Sequence, residues 1–174
     1  LELDITKEES IKIVIDRIIF EQRRIDILWN NAGFGLYGAV EDIKMEEARY
    51  QFEVNLFGLA RMTQLVLPHM RKQNSGTIIN TSSMGGKMYT PLGAWYHASK
   101  YALEGWSDCL RLEVESFGID VVVLEPGAIE TEFTTPMLSS LNKNKEGSAY
   151  KKLIDSLISA AKKGFARPGI SSPS

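Results

Sequence analysis

Disulfides, metal clusters and membrane spans are all missing from this sequence. It holds one cysteine, Cys109, in 174 residues, so no internal disulfide forms and a reducing compartment suits it. Cys109 falls in a helical stretch, where packing into the core is expected over reactivity. The two histidines, His69 and His97, and the single cysteine make no metal-ligand spacing. No apolar stretch approaches the roughly 20 residues of a membrane span, and no stretch reads as a signal peptide. The net charge of −2 supplies no basic field for nucleic acid or an anionic membrane. There is no repeat period and no low-complexity tract. A Gly-x-Gly-x-x-Gly phosphate loop after a strand is also lacking. Gly33-Phe-Gly35-Leu-Tyr-Gly38 matches in letters only. It carries aromatic inserts and opens no helix, so it reads as a loop near the substrate.

What is present is an alternation of short apolar runs and longer helical patterns. Leu1 to Asp4 reads as a strand end, and Thr6-Lys-Glu-Glu9 has capping-box form. Ile11, Val14, Ile15, Ile18 and Ile19 then recur at helical spacing to about Arg23. A strand is expected over residues 25–30, and a loop, mobile by composition, over 33–38. A long helix is expected over 45–72, with Ala48, Phe52, Leu56, Leu59, Thr63, Val66 and Met70 inward and Pro68 disturbing its last turns. Strand 77–81, helix 95–117 stopped by Gly118, and strand 119–125 follow. Ala98, Ala102 and Gly105 give that helix a face open to close backbone approach. Helical patches near 134–141 and 149–163 complete the chain. Strands alternating with helices predict an α/β fold, a doubly wound parallel sheet with helices on both faces.

The chemistry centres on Tyr96 and Lys100, four residues apart and therefore on one helical face. An ordinary phenol titrates near 10, too high for proton transfer at neutral pH. An ammonium about 4–5 Å away, at an effective dielectric near 20, favours the phenolate by roughly 3–4 kcal/mol. That equals a fall of roughly 2–3 in pKa, into the range where a general acid/base works. Ser83 supplies a hydroxyl for a substrate oxygen. Tyr-x3-Lys alone is a weak pattern. It gains weight because three apolar runs end in small or polar residues: Asn30-Asn-Ala-Gly33, Ser82-Ser83 and Pro126-Gly127. Strands of a parallel sheet meet a ligand crevice in this way.

With Asn55 in Val54-Asn-Leu-Phe-Gly58 and Thr131 in Pro126-Gly-x3-Thr131, the chain resembles the short-chain dehydrogenase/reductase family over residues 1–131. Its 100–113 stretch is similar to the hydroxysteroid and retinol dehydrogenase branch. The resemblance implies a Rossmann-like fold and NADP or NAD as cofactor, NADP ahead. It implies hydride transfer to or from an apolar carbonyl/alcohol substrate, a cytoplasmic location and a homodimer or homotetramer built on the two long helices. An epimerase or dehydratase, or a non-catalytic nucleotide-binding scaffold, is the alternative.

The resemblance also assigns roles. Ser83, Tyr96, Lys100 and Asn55 form the catalytic set, with Ser83 and Tyr96 on the substrate. Asp4, Asn31, Gly33, Tyr96, Lys100, Pro126, Ile129 (through its backbone) and Thr131 hold the cofactor. Several have simpler readings. Asp4 either contacts adenine or only leads into the first helix. Asn55 either feeds a water chain to Lys100 or only holds a kink. Thr131 either meets the carboxamide or its own backbone. Tyr89, Trp95, Phe133, Met137 and Leu138 are either a substrate wall or plain packing. His97 points about 100° from Tyr96 and is expected on the surface, as is His69. The whole chain reads as one partial domain: a catalytic and cofactor core over 1–131 and a substrate-loop region over 132–174. It starts without methionine and is expected to be incomplete at both ends. At about 30 residues per βαβ unit, roughly 50–60 residues carrying the glycine-rich loop are expected before Leu1.

Overall fold

The computed structural model describes residues 1–127 and 134–165. The described residues form helices α1 (Glu8–Gln22), α2 (Met45–Phe52), α3 (Leu59–Gln73), α4 (Ala94–Val114), α5 (Thr134–Lys143) and α6 (Lys151–Phe165) and three strands. Strands β1 (Ile27–Asn30), β2 (Gly76–Thr81) and β3 (Ile119–Leu124) pair in parallel in that order. The register puts Leu28, Ile78 and Val121 in one row and Asn30, Asn80 and Val123 in the next-but-one. Side chains alternate along a strand, so these rows share a face. Leu28, Ile78, Ile119 and Val121 pack there against Ile11 and Ile15 of α1, Val66 and Met70 of α3, and Leu110 and Val114 of α4.

Sequential parallel strands joined by right-handed crossovers carry their connections on one face. The opposite face presents Ile27, 62% exposed, and Trp29, 60% exposed, together with Val122 and Leu124. A doubly wound sheet carries helices there as well; none of the described helices covers it.

Several local expectations change. Residues 1–4 form no strand, because none of the three strands pairs with them. The Thr6 capping box does not form. Helix α1 starts after Lys7, and the Thr6 hydroxyl and N–H both donate to Asp4 instead, at 2.6 and 3.0 Å. The helix expected over 45–72 contains a π-helical turn, Glu53–Gly58, between α2 and α3. It runs on through Pro68 to Gln73. The π turn moves the inward face: Gln51 and Asn55 are buried, rather than Phe52 and Leu56. Gly58 lies within it because a Cβ there would meet the Ile5 carbonyl at 2.6 Å.

The 33–38 loop is packed, not loose. Leu36 N–H donates to Gln51 Oε1 at 2.7 Å, Tyr37 N–H to Ser140 Oγ at 3.1 Å, and Gly38 N–H to the Leu92 carbonyl at 2.7 Å. Cys109 is exposed rather than in the core, since the buried face of α4 runs through Leu103, Glu104, Ser107 and Leu110.

Candidate active site

Helix α4 carries Tyr96 and Lys100 on its buried face, each 5% exposed. The Lys100 ammonium donates to the Thr81 carbonyl, at the last residue of β2, at 2.8 Å. Two residues on, Ser83 is extended (φ −170°), and its hydroxyl oxygen accepts the Gly85 N–H at 3.0 Å. The Ser83 hydroxyl stands near enough to the Tyr96 phenol to favour its ionised form. The end of β3 is tied to the same turn: Ser82 N–H donates to the Leu124 carbonyl at 2.7 Å, and Met84 N–H to that of Pro126 at 3.1 Å.

Asn55 is fully buried in the π turn. Its Oδ1 accepts the Phe34 N–H at 3.1 Å, and its Nδ2 donates to the Phe34 carbonyl at 3.0 Å and to Ser99 Oγ at 3.1 Å. Ser99 Oγ in turn donates to the Tyr96 carbonyl at 2.7 Å. The amide therefore joins the β1 loop to α4. A buried amide needs such partners, and a π turn is a common way to aim one. Asn31 and Gly33 are exposed at the C-terminal end of β1. A Cβ on Gly33 would lie 3.2 Å from Asn55 Oδ1 and 3.6 Å from Lys100 Nζ.

The structure thus gathers Ser83, Tyr96, Lys100, Asn55, Asn31, Gly33 and Pro126 at the C-terminal ends of the strands. Asp4 is occupied locally. The Thr6 hydroxyl, the Thr6 N–H and Lys7 hold its carboxyl at about 2. Ile129, Thr131 and Phe133 lie outside the described residues. The proposed substrate wall divides. Met137 packs with the cluster containing Tyr37 and Tyr96, Trp95 packs on Leu36, Ile43 and Ala48, and Tyr89 is exposed.

One electrostatic expectation is reversed. Burial raises the Tyr96 phenol above its ordinary value, and the Ser83 hydroxyl works against that rise. The Lys100 ammonium is directed at the Thr81 carbonyl and is itself penalised by burial. Lys100 is depressed from 10.5 to about 8 by desolvation, with Glu104 opposing.

Sequence reasoning missed four residues of the site. His97 is buried, not on the surface. Its ring bonds Gly85 and Thr90. Gln51 pins Leu36 N–H and the Phe34 carbonyl. Ser99 links Asn55 to α4. Tyr37 sits with its ring centroid 5.6 Å from that of Tyr96 and is pushed to about 12 by burial and by Tyr96 beside it. The available signal was spacing: Gln51, Asn55 and Gly58 continue the buried row of Ala48.

These residues fit a nicotinamide nucleotide. Glycine at 33 leaves bare backbone beside Lys100 where a Cβ would crowd Asn55. Lysine has three donors, one of which reaches Thr81. The strand ends are where open α/β sheets take such ligands.

Residues 1–142 match the short chain dehydrogenase family model. The chain is 46% identical over 134 residues to a 3-ketodihydrosphingosine reductase of Bacteroides thetaiotaomicron, covering 77% of this chain and 50% of that protein. It is similar to a xylitol dehydrogenase solved with NAD+ bound (TM-score 0.75, 27% identity, covering 91% of this chain and 63% of the other). It is also similar to a gluconate 5-dehydrogenase of Burkholderia cenocepacia solved with NADP and tartrate (TM-score 0.72, 27% identity, covering 86% and 55%). The chain spans about half the length of the curated relatives it matches. A model matching most of the chain, and the same tyrosine, lysine and serine gathered at the strand ends, lead to one conclusion: this chain belongs to the short-chain dehydrogenase family.

Proposed function

We propose that the protein carrying this chain is an NAD(P)-dependent oxidoreductase acting on an apolar carbonyl/alcohol pair. The observation that carries this is the convergence of Tyr96 and Lys100, both buried on one face of α4, with Ser83 at the β2 turn and the exposed Gly33 turn. A bound nicotinamide nucleotide supplies or accepts the hydride. In reduction, Tyr96 donates its phenolic proton to the carbonyl oxygen. Burial keeps that phenol protonated until the oxygen develops charge. Ser83 donates to the same oxygen, a pre-aimed donor of the kind that stabilises developing anions. Its lone pair already takes the Gly85 N–H, which turns its proton outward. Lys100 holds the ribose hydroxyls and returns a proton to Tyr96, resupplied by a water chain that starts at the Asn55 turn. Asn31, Gly33 and Pro126 line the nicotinamide side; the family pattern adds Ile129 and Thr131 to the cofactor set and Asp4 on the adenine side.

The reductase of a keto compound among the relatives supports a ketone as substrate. Structural relatives solved with NAD+ and with NADP support a nicotinamide cofactor; we take NADP first. Association through α3 and α4 into a homodimer or homotetramer is part of this reading. A Cβ on Gly105 would meet nothing within 4 Å, and Leu112 on the same helix is exposed. No described helix is long and apolar enough to cross a membrane; a cytoplasmic location belongs to the proposal.

The test is an assay of the full-length protein with NADPH and NADH against a panel of apolar and polar ketones and their alcohols. Cofactor oxidation matched one-to-one by alcohol formation is expected. No redox turnover with any carbonyl or alcohol, with cofactor bound, overturns the reading.

A further inference from the structure

His97 has no role in the reaction just derived, yet it touches the turn that carries Ser83. It is 6% exposed. The Thr90 N–H donates to its Nε2 at 3.0 Å. A backbone N–H has only a proton to offer, so Nε2 is the acceptor and the ring proton sits on Nδ1. Nδ1 then donates to the Gly85 carbonyl at 3.0 Å. The N–H of the same Gly85 donates to Ser83 Oγ at 3.0 Å. Gly85 thus faces His97 with its carbonyl and Ser83 with its N–H.

The fit is tight on both sides. A Cβ on Gly85 would lie 2.9 Å from the Tyr96 ring and 3.0 Å from His97 Nδ1. A Cβ on Gly93 would lie 2.7 Å from His97 Nε2. The Thr90 hydroxyl also lies 3.0 Å from His97 Nε2, which accepts its hydrogen bond. One helix therefore presents the phenol at Tyr96 and, one residue later, the ring that holds the phenol's serine partner.

We infer that His97 is a positioning residue for this site: as the Nδ1–H tautomer it bridges Gly85 and Thr90, and so sets where the Ser83 hydroxyl stands relative to Tyr96. The inference rests on the oxidoreductase reading, and specifically on Ser83 meeting the substrate oxygen. Its consequence is kinetic. Loss of the bridge leaves cofactor and substrate able to bind but Ser83 misaimed at the reacting oxygen. Misplacement on the scale of 1 Å costs up to about 100-fold.

The experiment compares His97→Leu, His97→Asn, Ser83→Ala and the double variants in the full-length protein with NADPH and a turned-over ketone. His97→Leu removes the ring's bonds to Gly85 and to the Thr90 N–H and hydroxyl. His97→Asn keeps an amide donor at the Nδ1 position for Gly85 and drops the Thr90 bonds. The expected result is a fall in kcat of about 10–100-fold for His97→Leu, with KM and NADPH affinity within a few-fold of the parent. Partial recovery is expected in His97→Asn. Adding either substitution to Ser83→Ala should cost little more. Where His97→Leu folds poorly, His97→Asn and its pair with Ser83→Ala carry the same comparison. Parent-like kcat in both His97 variants overturns the inference, and so do losses that multiply in full with that of Ser83→Ala. Full activity in Ser83→Ala overturns both the inference and the role of Ser83. An inactive Ser83→Ala with parent-like His97 variants overturns the inference alone.

Discussion

Lys100 shows how a single buried charge shapes this site. Its ammonium is held at about 8, below its ordinary 10.5, chiefly by burial. Between those values the unfolded chain binds more protons than the folded one, so stability rises with pH across that window. The cost of keeping the ammonium buried is fully present below about pH 8. Tyr37 and Tyr96 act in the opposite sense, because burial raises both. Their contribution is complete below pH 10 and is lost as pH rises through their higher folded values. Urea midpoints of the full-length protein without cofactor are therefore expected to climb from pH 8 toward pH 10, and Lys100→Met should flatten the climb. An unchanged slope in that variant contradicts this account of Lys100. That Tyr96, Lys100, Ser83 and Asn55 come together was legible in the sequence, because they stand at fixed spacings around strand ends. Their electrostatics were not. Spacing set Tyr96 and Lys100 on one face, but only the fold shows the ammonium turned to Thr81 and both groups desolvated.

At the scale of elements, the π turn Glu53–Gly58 is the main departure from the sequence reading. Helical periodicity assigned one straight face, and an inserted residue cannot be seen in a pattern that tolerates either row. The turn brings Gln51 and Asn55 inward, where their amides satisfy the backbone of residues 34–36. Composition alone made the same loop look mobile. It is ordered by side chains from elements distant in sequence, Ser140 among them. His97 escaped for a similar reason: helical geometry gives a direction, and the 84–93 loop folding over that direction is a tertiary event. Two glycines test the packing. Gly58→Ala is expected to destabilise by about 1–3 kcal/mol, since its Cβ meets the fixed Ile5 carbonyl. Gly105→Ala, in open space within α4, is expected to stabilise the protomer by about 0.5–1 kcal/mol through helix propensity. Chemical denaturation of the two variants checks both signs; a destabilised Gly105→Ala protomer contradicts the open packing around it.

Across the whole molecule, the sheet has one face buried under α1, α3 and α4 and the other open at Ile27, Trp29, Val122 and Leu124. The parallel class followed from apolar runs alternating with helical patterns; the order β1-β2-β3 comes from the pairing itself. Which face the helices cover follows from crossover handedness, not from composition. The same arrangement collects the β1 loop, the β2 turn and the β3 end on one edge, so residues far apart in sequence meet around Gly33 and Ser83. The central claim is that Tyr96 is the proton donor at that edge. Its most direct test is single-turnover NADPH oxidation by the full-length Tyr96→Phe variant with a turned-over ketone, alongside NADPH binding by fluorescence. The account predicts a rate at least about 100-fold lower, the usual worth of a general acid, with NADPH affinity retained. Parent-like single-turnover oxidation in that variant would contradict it.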